Sequence, residues 1–413
     1  MMYPLYIDPG TGSAIFSIVI GAAAVAYFLA QALWIKLKVV ISGGQIKAGA
    51  KNHHPFVIYA EDKRYWNIFK PVTDEFEKRN IELLYLTSSK DDPVFGNNYK
   101  YIQPEYIGEG NKAFTRLNLL FADFVLMTTP ELNVLQMKRS KMVKHYSHVI
   151  HGPTDATTYS MFGLDYFDSI LMTGEYQGID IRAIEKIRDL PEKQLVTVGC
   201  GYLDVALEKI RQIPKEENHQ FTVLVSPSWG ASSLLTLYGE KLLDPLVQTG
   251  WRIIVRPHPQ SKNSEYKMLE SLTEKYKNTK NLEWNYDREN VYVLAKADIM
   301  IGDFSGITFD YAFLCDKPVI YVSHDDFDIR PYDAWFLKKE LWQFRTLREI
   351  GIELREKDFN SIAKIIASVS DNETLKKARR IAKDTAWQYQ TESGKRTADF
   401  MIETVNEMEK NSA

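Results

Sequence analysis

Two histidines in this sequence stand in turns that follow short apolar runs and contain proline. His151 follows Val149-Ile150 and precedes Gly152-Pro153. Because a histidine can accept a proton at neutral pH, His151 is a candidate general base. His258 lies in the segment Arg256-Pro257-His258-Pro259, where an imidazole beside a guanidinium suits a pyrophosphate. Each histidine could instead cap a strand end or complete an ordinary turn, so either motif alone leaves both interpretations open.

A serine-bearing turn precedes a predicted helix in the second half of the chain. Ser226 and Ser228 follow the apolar run 221–225 and lie ahead of a helical pattern over residues 234–249. Hydroxyl groups and free amides near a helix N-terminus bind phosphate, because unpaired N–H groups and the helix dipole both favour an anion. A Ser-Pro-Ser sequence also makes ordinary turns, so this signal is weak alone.

A second turn of this kind is the most informative one. Asp303, Ser305 and Gly306 end a predicted strand and open a helix, with Thr308 and Asp310 in its first turn. Backbone amides at Ser305 and Gly306 could approach a diphosphate closely, and Asp310 could hold a ribose hydroxyl. The alternative is that Asp303 or Ser305 only caps the helix.

These turns need strands and helices to position them. Short β-branched or aromatic runs recur between polar or amphipathic stretches, which is typical of parallel strands buried between helices. In the first half the runs cover residues 56–60, 81–87, 124–128, 148–151 and 169–173. In the second half they cover residues 221–225, 251–255, 282–284, 298–301 and 318–322. In open α/β sheets ligands bind beyond the carboxyl ends of the strands, which is where all four turns stand.

The pattern predicts two doubly wound α/β domains with a cleft between them. A polar, proline-containing stretch at 213–220 separates the two series of strands and is a predicted linker. We expect an N-terminal Rossmann-like domain over 36–215 and a C-terminal Rossmann-like domain over 220–370. Residues 371–413 have helical spacing and form a predicted C-terminal helical segment.

The N-terminus has the pattern of a membrane anchor. Residues 14–35 carry no charge, and about 20 apolar residues suffice to cross a bilayer. Lysines follow this run at Lys36, Lys38, Lys47 and Lys51, so the positive-inside rule predicts an outward N-terminus and cytoplasmic domains. Residues 1–35 are therefore an expected outward tail and transmembrane helix, giving a single-pass protein of the cell membrane. A cleaved signal peptide or a buried helix is the alternative.

Composition narrows the classes of function. The formal net charge of −3 gives no overall attraction to nucleic acid, and we expect no nucleic-acid partner. The chain has no Gly-x-Gly-x-x-Gly and no Gly-Lys-Ser/Thr loop, which disfavours dinucleotide oxidoreductases and ATPases. No tight Asp/His cluster indicates a metal, and Cys200 and Cys315 do not resemble a zinc site. We expect no cofactor.

The order of these motifs resembles the CDP-glycerol glycerophosphotransferase family, the teichoic-acid primases and polymerases of bacterial cell envelopes. The resemblance runs from about His151 to Val322. It includes His151-Gly152, then 162–168 (FGLDYFD) with 174–176 (GEY), then the Pro-His-Pro segment at 257–259, and 303–310 (DFSGITFD), similar to the family's Asp-Tyr-Ser-Ser-x-x-Phe-Asp.

The resemblance implies a fold and roles for individual residues. It implies the glycosyltransferase-B architecture, with 36–215 as the acceptor domain and 220–370 as the nucleotide-donor domain. It also implies His151 as general base, His258 as a contact of the diphosphate or leaving group, and Ser305 and Asp310 on the donor. Two departures stand out. The family usually continues His-Gly-Thr-Pro with a basic residue shortly after, whereas Pro153, Thr154 and Asp155 follow here, and Gly306 replaces the second serine.

The predicted function is transfer of glycerol phosphate, or a related polyol phosphate, from a CDP-activated donor to a hydroxyl of a lipid-linked or polymeric acceptor, with release of CMP. Its expected partners are CDP-glycerol or a similar CDP-polyol, that acceptor, and the membrane. A nucleotide-sugar glycosyltransferase or epimerase of the same fold is one alternative. A non-catalytic membrane-attached binding protein is another, which the altered residues after His151 favour.

Overall fold

A computed structural model describes residues 53–214, 217–322 and 327–411. These residues form two parallel sheets in series, each covered by helices. The predicted transmembrane segment at 14–35 lies outside the described residues, as does the basic stretch that follows it. Among the helices that are described, none has both the length and the apolar character needed to cross a bilayer.

The first sheet has seven strands. They are β1 (His54–Ala60), β2 (Leu83–Thr87), β3 (Ile102–Tyr106), β4 (Ala122–Met127), β5 (Val143–Val149), β6 (Ser169–Met172) and β7 (Gln194–Thr197). Their order is β3-β2-β1-β4-β5-β6-β7, and every neighbouring pair is parallel. The helices of this half are α1 (Trp66–Lys78), α2 (Asn111–Asn118), α3 (Tyr176–Arg188) and α4 (Gly201–Arg211). The central strands are almost wholly buried, as expected for a sheet packed on both faces.

The second sheet has six strands. They are β8 (Thr222–Ser226), β9 (Arg252–Val255), β10 (Leu282–Trp284), β11 (Ile299–Gly302), β12 (Val319–Tyr321) and β13 (Gly351–Glu353), in the order β10-β9-β8-β11-β12-β13. All neighbours are again parallel. The helices between and after them are α5 (Leu234–Gln248), α6 (Ser261–Ser264), α7 (Tyr266–Tyr276), α8 (Val291–Lys296), α9 (Gly306–Cys315), α10 (Ala334–Leu337), α11 (Trp342–Ile350) and α12 (Ile362–Ser370).

In both sheets, the direction in which successive strands are added reverses at an internal position. Chain order reverses between β1 and β4 in the first sheet and between β8 and β11 in the second. Ligands of doubly wound sheets bind at such switch points, beyond the carboxyl ends of the strands. The loops after β1 and β4, and those after β8 and β11, are therefore placed to form a site, and the loops after the neighbouring strands β5 and β9 lie beside them.

The last two helices connect the halves. α13 (Glu373–Ala386) contributes Ala382 and Ala386 to the core of the second half, and α14 (Ser393–Lys410) contributes Phe400 and Met401 to the core of the first. Between these helices the chain is fixed by Asp204, whose carboxylate accepts hydrogen bonds from the side chain of Trp387, the backbone of Thr391 and both backbone and hydroxyl of Ser393. The C-terminal helix α14 thus packs against the first half, which contains β1.

Candidate active site between the two sheets

A cavity of about 670 Å³ is lined by residues from both halves. The first half contributes the loop after β1, including Arg64 and Tyr65, and the turn at His151 and Gly152. The second half contributes several of the residues that the motifs predicted: Ser226, Arg256, His258, Ser305, Gly306 and Asp310. The fold therefore brings both candidate histidines and the Ser305 turn to one cleft, although more than 150 positions separate the first from the last.

His151 is held by two hydroxyl groups. Its Nδ1 lies 3.2 Å from the Thr128 hydroxyl and 3.0 Å from the Tyr159 hydroxyl. The Thr128 hydroxyl donates its own hydrogen to the carbonyl of Val149, at 2.8 Å, so it can only accept from the imidazole. The Thr128 contact therefore favours the neutral tautomer of His151 that carries its hydrogen on Nδ1, with the lone pair on Nε2.

Burial keeps His151 neutral. Desolvation, followed by the charge of the nearby Arg64 guanidinium, lowers the pKa of His151 to about 4. At neutral pH the ring is therefore unprotonated, which is the form that a general base requires.

His258 has the opposite hydrogen arrangement. Its Nδ1 accepts a hydrogen bond of 3.1 Å from the backbone N–H of Gln260, so the hydrogen of the neutral ring lies on Nε2. Burial lowers the pKa of His258, against the opposing charges of Asp303 and Glu265. The His258 ring is therefore a neutral hydrogen-bond donor, suited to an oxygen of a diphosphate.

Arg256 supports a neighbouring loop. Only 8% of this residue is exposed, and its guanidinium donates to the side chain of Asn285 and, at 2.8 Å, to the carbonyl of Asp287. Arg256 thereby fixes the segment after β10 that carries Arg288 and Asn290 into the cleft. Two of its five N–H donors are committed in this way.

Three residues predicted to bind substrate are buried behind the cleft and do not line it: Ser228, Asp303 and Thr308. The Asp303 carboxylate accepts hydrogen bonds from the backbone and hydroxyl of Ser228, and from the backbone N–H groups of Leu234 and Ser305. The Thr308 hydroxyl donates to the carbonyl of Asp303 at 3.3 Å. These residues shape the serine turns, since a buried carboxylate must satisfy its oxygens locally.

The N-terminus of α9 faces the cavity through Ser305 and Gly306. Ser305 occupies the N-cap position, but its hydroxyl makes no capping hydrogen bond. The amides of the first turn and this hydroxyl form a surface that attracts an anion. No atom lies within 4 Å of a Cβ added at Gly306, so the replacement of the second serine leaves open space there.

Asp310 lies deeper in the cavity. It accepts a hydrogen bond of 3.0 Å from the Tyr202 hydroxyl, which in turn accepts one of 2.8 Å from the Asn290 side chain. Burial raises the pKa of Asp310 to about 7, and the Tyr202 bond opposes this shift. Near neutral pH the Asp310 carboxyl is therefore partly protonated, and a small change in its surroundings alters its charge.

A segment of the second half, residues 328–343, lies against the loop that follows His151. We call it the strap. The Asp333 carboxylate accepts from the backbone N–H of Phe162 at 2.9 Å and pairs with Arg188, while its own N–H donates to the carbonyl of Tyr159. Asp155 accepts from the N–H groups of Trp342 and Gln343, at 2.9 and 2.8 Å, at the N-terminus of α11. The acid that departs from the family pattern thus caps a helix, where a basic residue would be repelled.

Sequence reasoning missed the residues that position His151. Thr128 ends a predicted strand and Arg64 and Tyr65 follow another, so the rule that ligands lie beyond strand ends could have identified all three. Tyr159 and Tyr202 carry no such signal, because their position depends on how loops and helices pack. Within the described ranges, no group of three or more His, Cys, Asp or Glu residues is arranged to hold a metal ion.

The chain resembles known proteins in part of its sequence and in its fold. Residues 205–400 match the model of the family described as CDP-Glycerol:Poly(glycerophosphate) glycerophosphotransferase. No curated protein matches the sequence. Among solved structures, the wall teichoic acid polymerase TagF with CDPG is similar, with a TM-score of 0.54 and 14% identity over 87% of this chain and 91% of that chain.

Two epimerases share the architecture as well. The UDP-GlcNAc 2-epimerase of Methanocaldococcus jannaschii, with UDP-GlcNAc and UDP, has a TM-score of 0.51 and 14% identity over 86% of this chain and 99% of its own. The UDP-GlcNAc 2-epimerase of Neisseria meningitidis, bound to UDP-GlcNAc, has a TM-score of 0.52 and 13% identity over 86% of this chain and 100% of its own. At such identities the likeness establishes the fold, two Rossmann-like domains of the glycosyltransferase-B type. The match over residues 205–400 confirms the resemblance to the CDP-glycerol glycerophosphotransferase family, and together with the fold it supports an enzyme that is CDP-glycerol glycerophosphotransferase-like.

Proposed function

We propose that this chain transfers glycerol phosphate, or a related polyol phosphate, from a CDP-activated donor to a hydroxyl of a lipid-linked or polymeric acceptor. The observation that carries the proposal is that one cleft holds a neutral base on one side, and a neutral imidazole donor with a helix N-terminus on the other. Phosphoryl transfer asks a protein mainly for positioning and charge stabilisation, and this arrangement offers both.

The reaction follows from the hydrogen positions. His151 Nε2 accepts the proton of the acceptor hydroxyl while the acceptor oxygen forms a bond to the distal phosphorus of the donor. The bond between that phosphorus and the bridging oxygen breaks, and CMP leaves with the electron pair. His258 donates a hydrogen bond from Nε2 to the leaving oxygen, and the amides of Gly306 and Ile307, at the N-terminus of α9, bind the diphosphate.

Donor binding also prepares the base. The pKa of His151 is low partly because of the Arg64 charge, and a bound diphosphate would offset that charge. The negative donor therefore favours protonation of His151 during the attack.

Membrane attachment is part of the proposal and rests on sequence alone. The uncharged stretch 14–35 and the lysines after it support a single-pass anchor with cytoplasmic domains. Tethering would raise the effective concentration of a lipid-linked acceptor at the active site.

The test is to incubate membranes that contain the full chain with radiolabelled CDP-glycerol, CDP-ribitol or UDP-sugars, and to follow release of CMP or UDP. We expect CMP release from a CDP-polyol, and its loss by about a hundred- to ten-thousand-fold in His151→Ala. His219→Ala is the matched control, since His219 lies before β8, at the opposite end of the strand from the cleft. Release of UDP alone, or equal rates for His151→Ala and wild type, would contradict the proposal.

A further inference from the structure

The cleft holds more cationic side chains than the motifs predicted. Those lining it are Lys63, Arg64, Arg256 and Arg288. Lys63 is paired with Asp91, and Arg256 is buried in its contacts with the loop after β10. Arg64 and Arg288 are the two that remain exposed.

Arg64 stands beside the candidate base. Its guanidinium lies 5.4 Å from the centre of the Tyr65 ring, and that ring lies 5.7 Å from the ring of His151. Arg64 lines the same cavity as both imidazoles, and its charge lowers the pKa of both His151 and His258. Arg288 helps to lower the pKa of Asp91.

The loop that carries Arg64 is well fixed. Asp62 caps the short helical turn Lys63–Tyr65 by accepting from the backbone N–H of Arg64 at 2.8 Å. The backbone N–H of Lys63 donates to the Ser89 hydroxyl at 3.0 Å. The side chain of Arg64 is meanwhile 72% exposed, with one contact of 3.3 Å to Asp62, so its remaining donors are available. A rigid backbone with a free guanidinium suits a phosphate, because planar N–H pairs match its oxygens.

The site needs a cation at this place. During phosphoryl transfer, negative charge spreads over the three non-bridging oxygens of the moving group, which lies between base and leaving group. His151 and His258 are on the two sides of that position, and neither is charged at neutral pH. Arg256 is buried and uses two of its five donors to hold the loop after β10, and the amides of Gly306 and Ile307 lie on the donor side.

We propose that Arg64 binds the non-bridging oxygens of the transferring phosphoryl group, as a catalytic cation that the acceptor half supplies. This inference rests on the proposed function. It assigns to the first half of the chain a role in stabilising the transition state, in addition to carrying the base.

The experiment compares Arg64→Ala and Arg64→Lys with Arg380→Ala in the full chain. Arg380, on α13, is a matched control, because its side chain is 61% exposed and also pairs with an aspartate, Asp316, but it neither lines the cleft nor belongs to the strap. Dissociation constants for CMP and CDP-glycerol are measured by titration calorimetry, and kcat and the acceptor KM by CMP release.

In Arg64→Ala we expect kcat to fall about a hundred- to a thousand-fold, as for loss of one donor to a developing charge. Affinity for CMP should be unchanged, while affinity for CDP-glycerol weakens, since only the latter carries the distal phosphate. Arg64→Lys should recover part of the loss, and added guanidinium should partly restore Arg64→Ala. The acidic limb of the rate profile should move to higher pH, because removing Arg64 raises the pKa of His151.

Three results would overturn the inference while leaving the proposed function intact. These are a kcat for Arg64→Ala within about twofold of that for Arg380→Ala, an equal loss of affinity for CMP and for CDP-glycerol, or a change confined to the acceptor KM. A change confined to the acceptor KM would indicate that Arg64 contacts the acceptor and not the transferring phosphoryl group. If wild type neither binds CDP-glycerol nor releases CMP, the proposed function itself fails, and the inference fails with it.

Discussion

The hydroxyl of Thr128 provides a sharp test of the base assignment. Thr128 is fully buried, passes its hydrogen to the Val149 carbonyl and accepts from His151 Nδ1. Replacing it by valine keeps the shape of the side chain but removes the acceptor. The Nδ1–H form of His151 is then less favoured, and so is the lone pair on Nε2 that the reaction uses. Thr128→Val should therefore slow transfer while the base remains present.

The magnitude follows from a single neutral hydrogen bond. Such a bond contributes about 0.5–1.5 kcal/mol, which corresponds to a rate loss of roughly two- to thirteen-fold. Tyr159 lies 3.0 Å from the same nitrogen, so Tyr159→Phe should cost a similar factor, and the double variant should lose more than either alone. Loss of His151 itself should cost far more.

The assay is CMP release under saturating donor, with Thr128→Ser as the control that keeps the hydroxyl. We expect Thr128→Ser to stay near wild type and Thr128→Val to fall within the stated range, with unchanged affinity for CMP. Full activity in both single variants and in the double variant would refute the argument that these hydroxyls fix the tautomer.

Three further predictions concern the donor side and the fold. Because burial raises the pKa of Asp310 to about 7, the fraction of Asp310 in the carboxylate form increases as pH rises through 7. The donor KM should therefore fall between about pH 6 and 8. Asp310→Asn should abolish this pH dependence. Gly306→Ser should leave the melting temperature within about 2 °C and sustain or raise CMP release, since nothing lies near the added atoms. Gly394→Ala should lower stability to urea by about 1–3 kcal/mol, because the new Cβ would lie 2.3 Å from the Pro71 carbonyl oxygen.

The central strands could be predicted from sequence because they are buried on both faces. The apolar run at 56–60 falls within β1, the runs at 221–225 and 298–301 overlap β8 and β11, and the helical pattern at 234–249 coincides almost fully with α5. The strands that were missed, β3, β7 and β13, are all sheet edges. An edge strand has one neighbour and more solvent contact, so its composition is more polar; β3, with the sequence IQPEY, is an example.

The site could be predicted as far as each residue follows a strand. His151, His258 and Ser305 obey that rule and do line the cleft. Asp303 and Ser228 obey it too, yet their side chains bond to each other, since sequence spacing cannot show which way a side chain turns. The strap could not be predicted either, because contacts between Asp155 and α11 join positions nearly 190 residues apart.

The strap has a mechanical consequence for an enzyme that must open to exchange nucleotide. Asp333 and the N-terminus of α11 belong to the second half, yet they bind the stretch from Asp155 to Phe162. Tyr159, within that stretch, contacts the His151 imidazole. Any rotation of one half against the other must either break these bonds or pull the base out of line. The alignment of His151 is thereby coupled to the closure of the cleft between the two halves. An open enzyme without ligand therefore holds this proton acceptor differently from a closed, ligand-bound one.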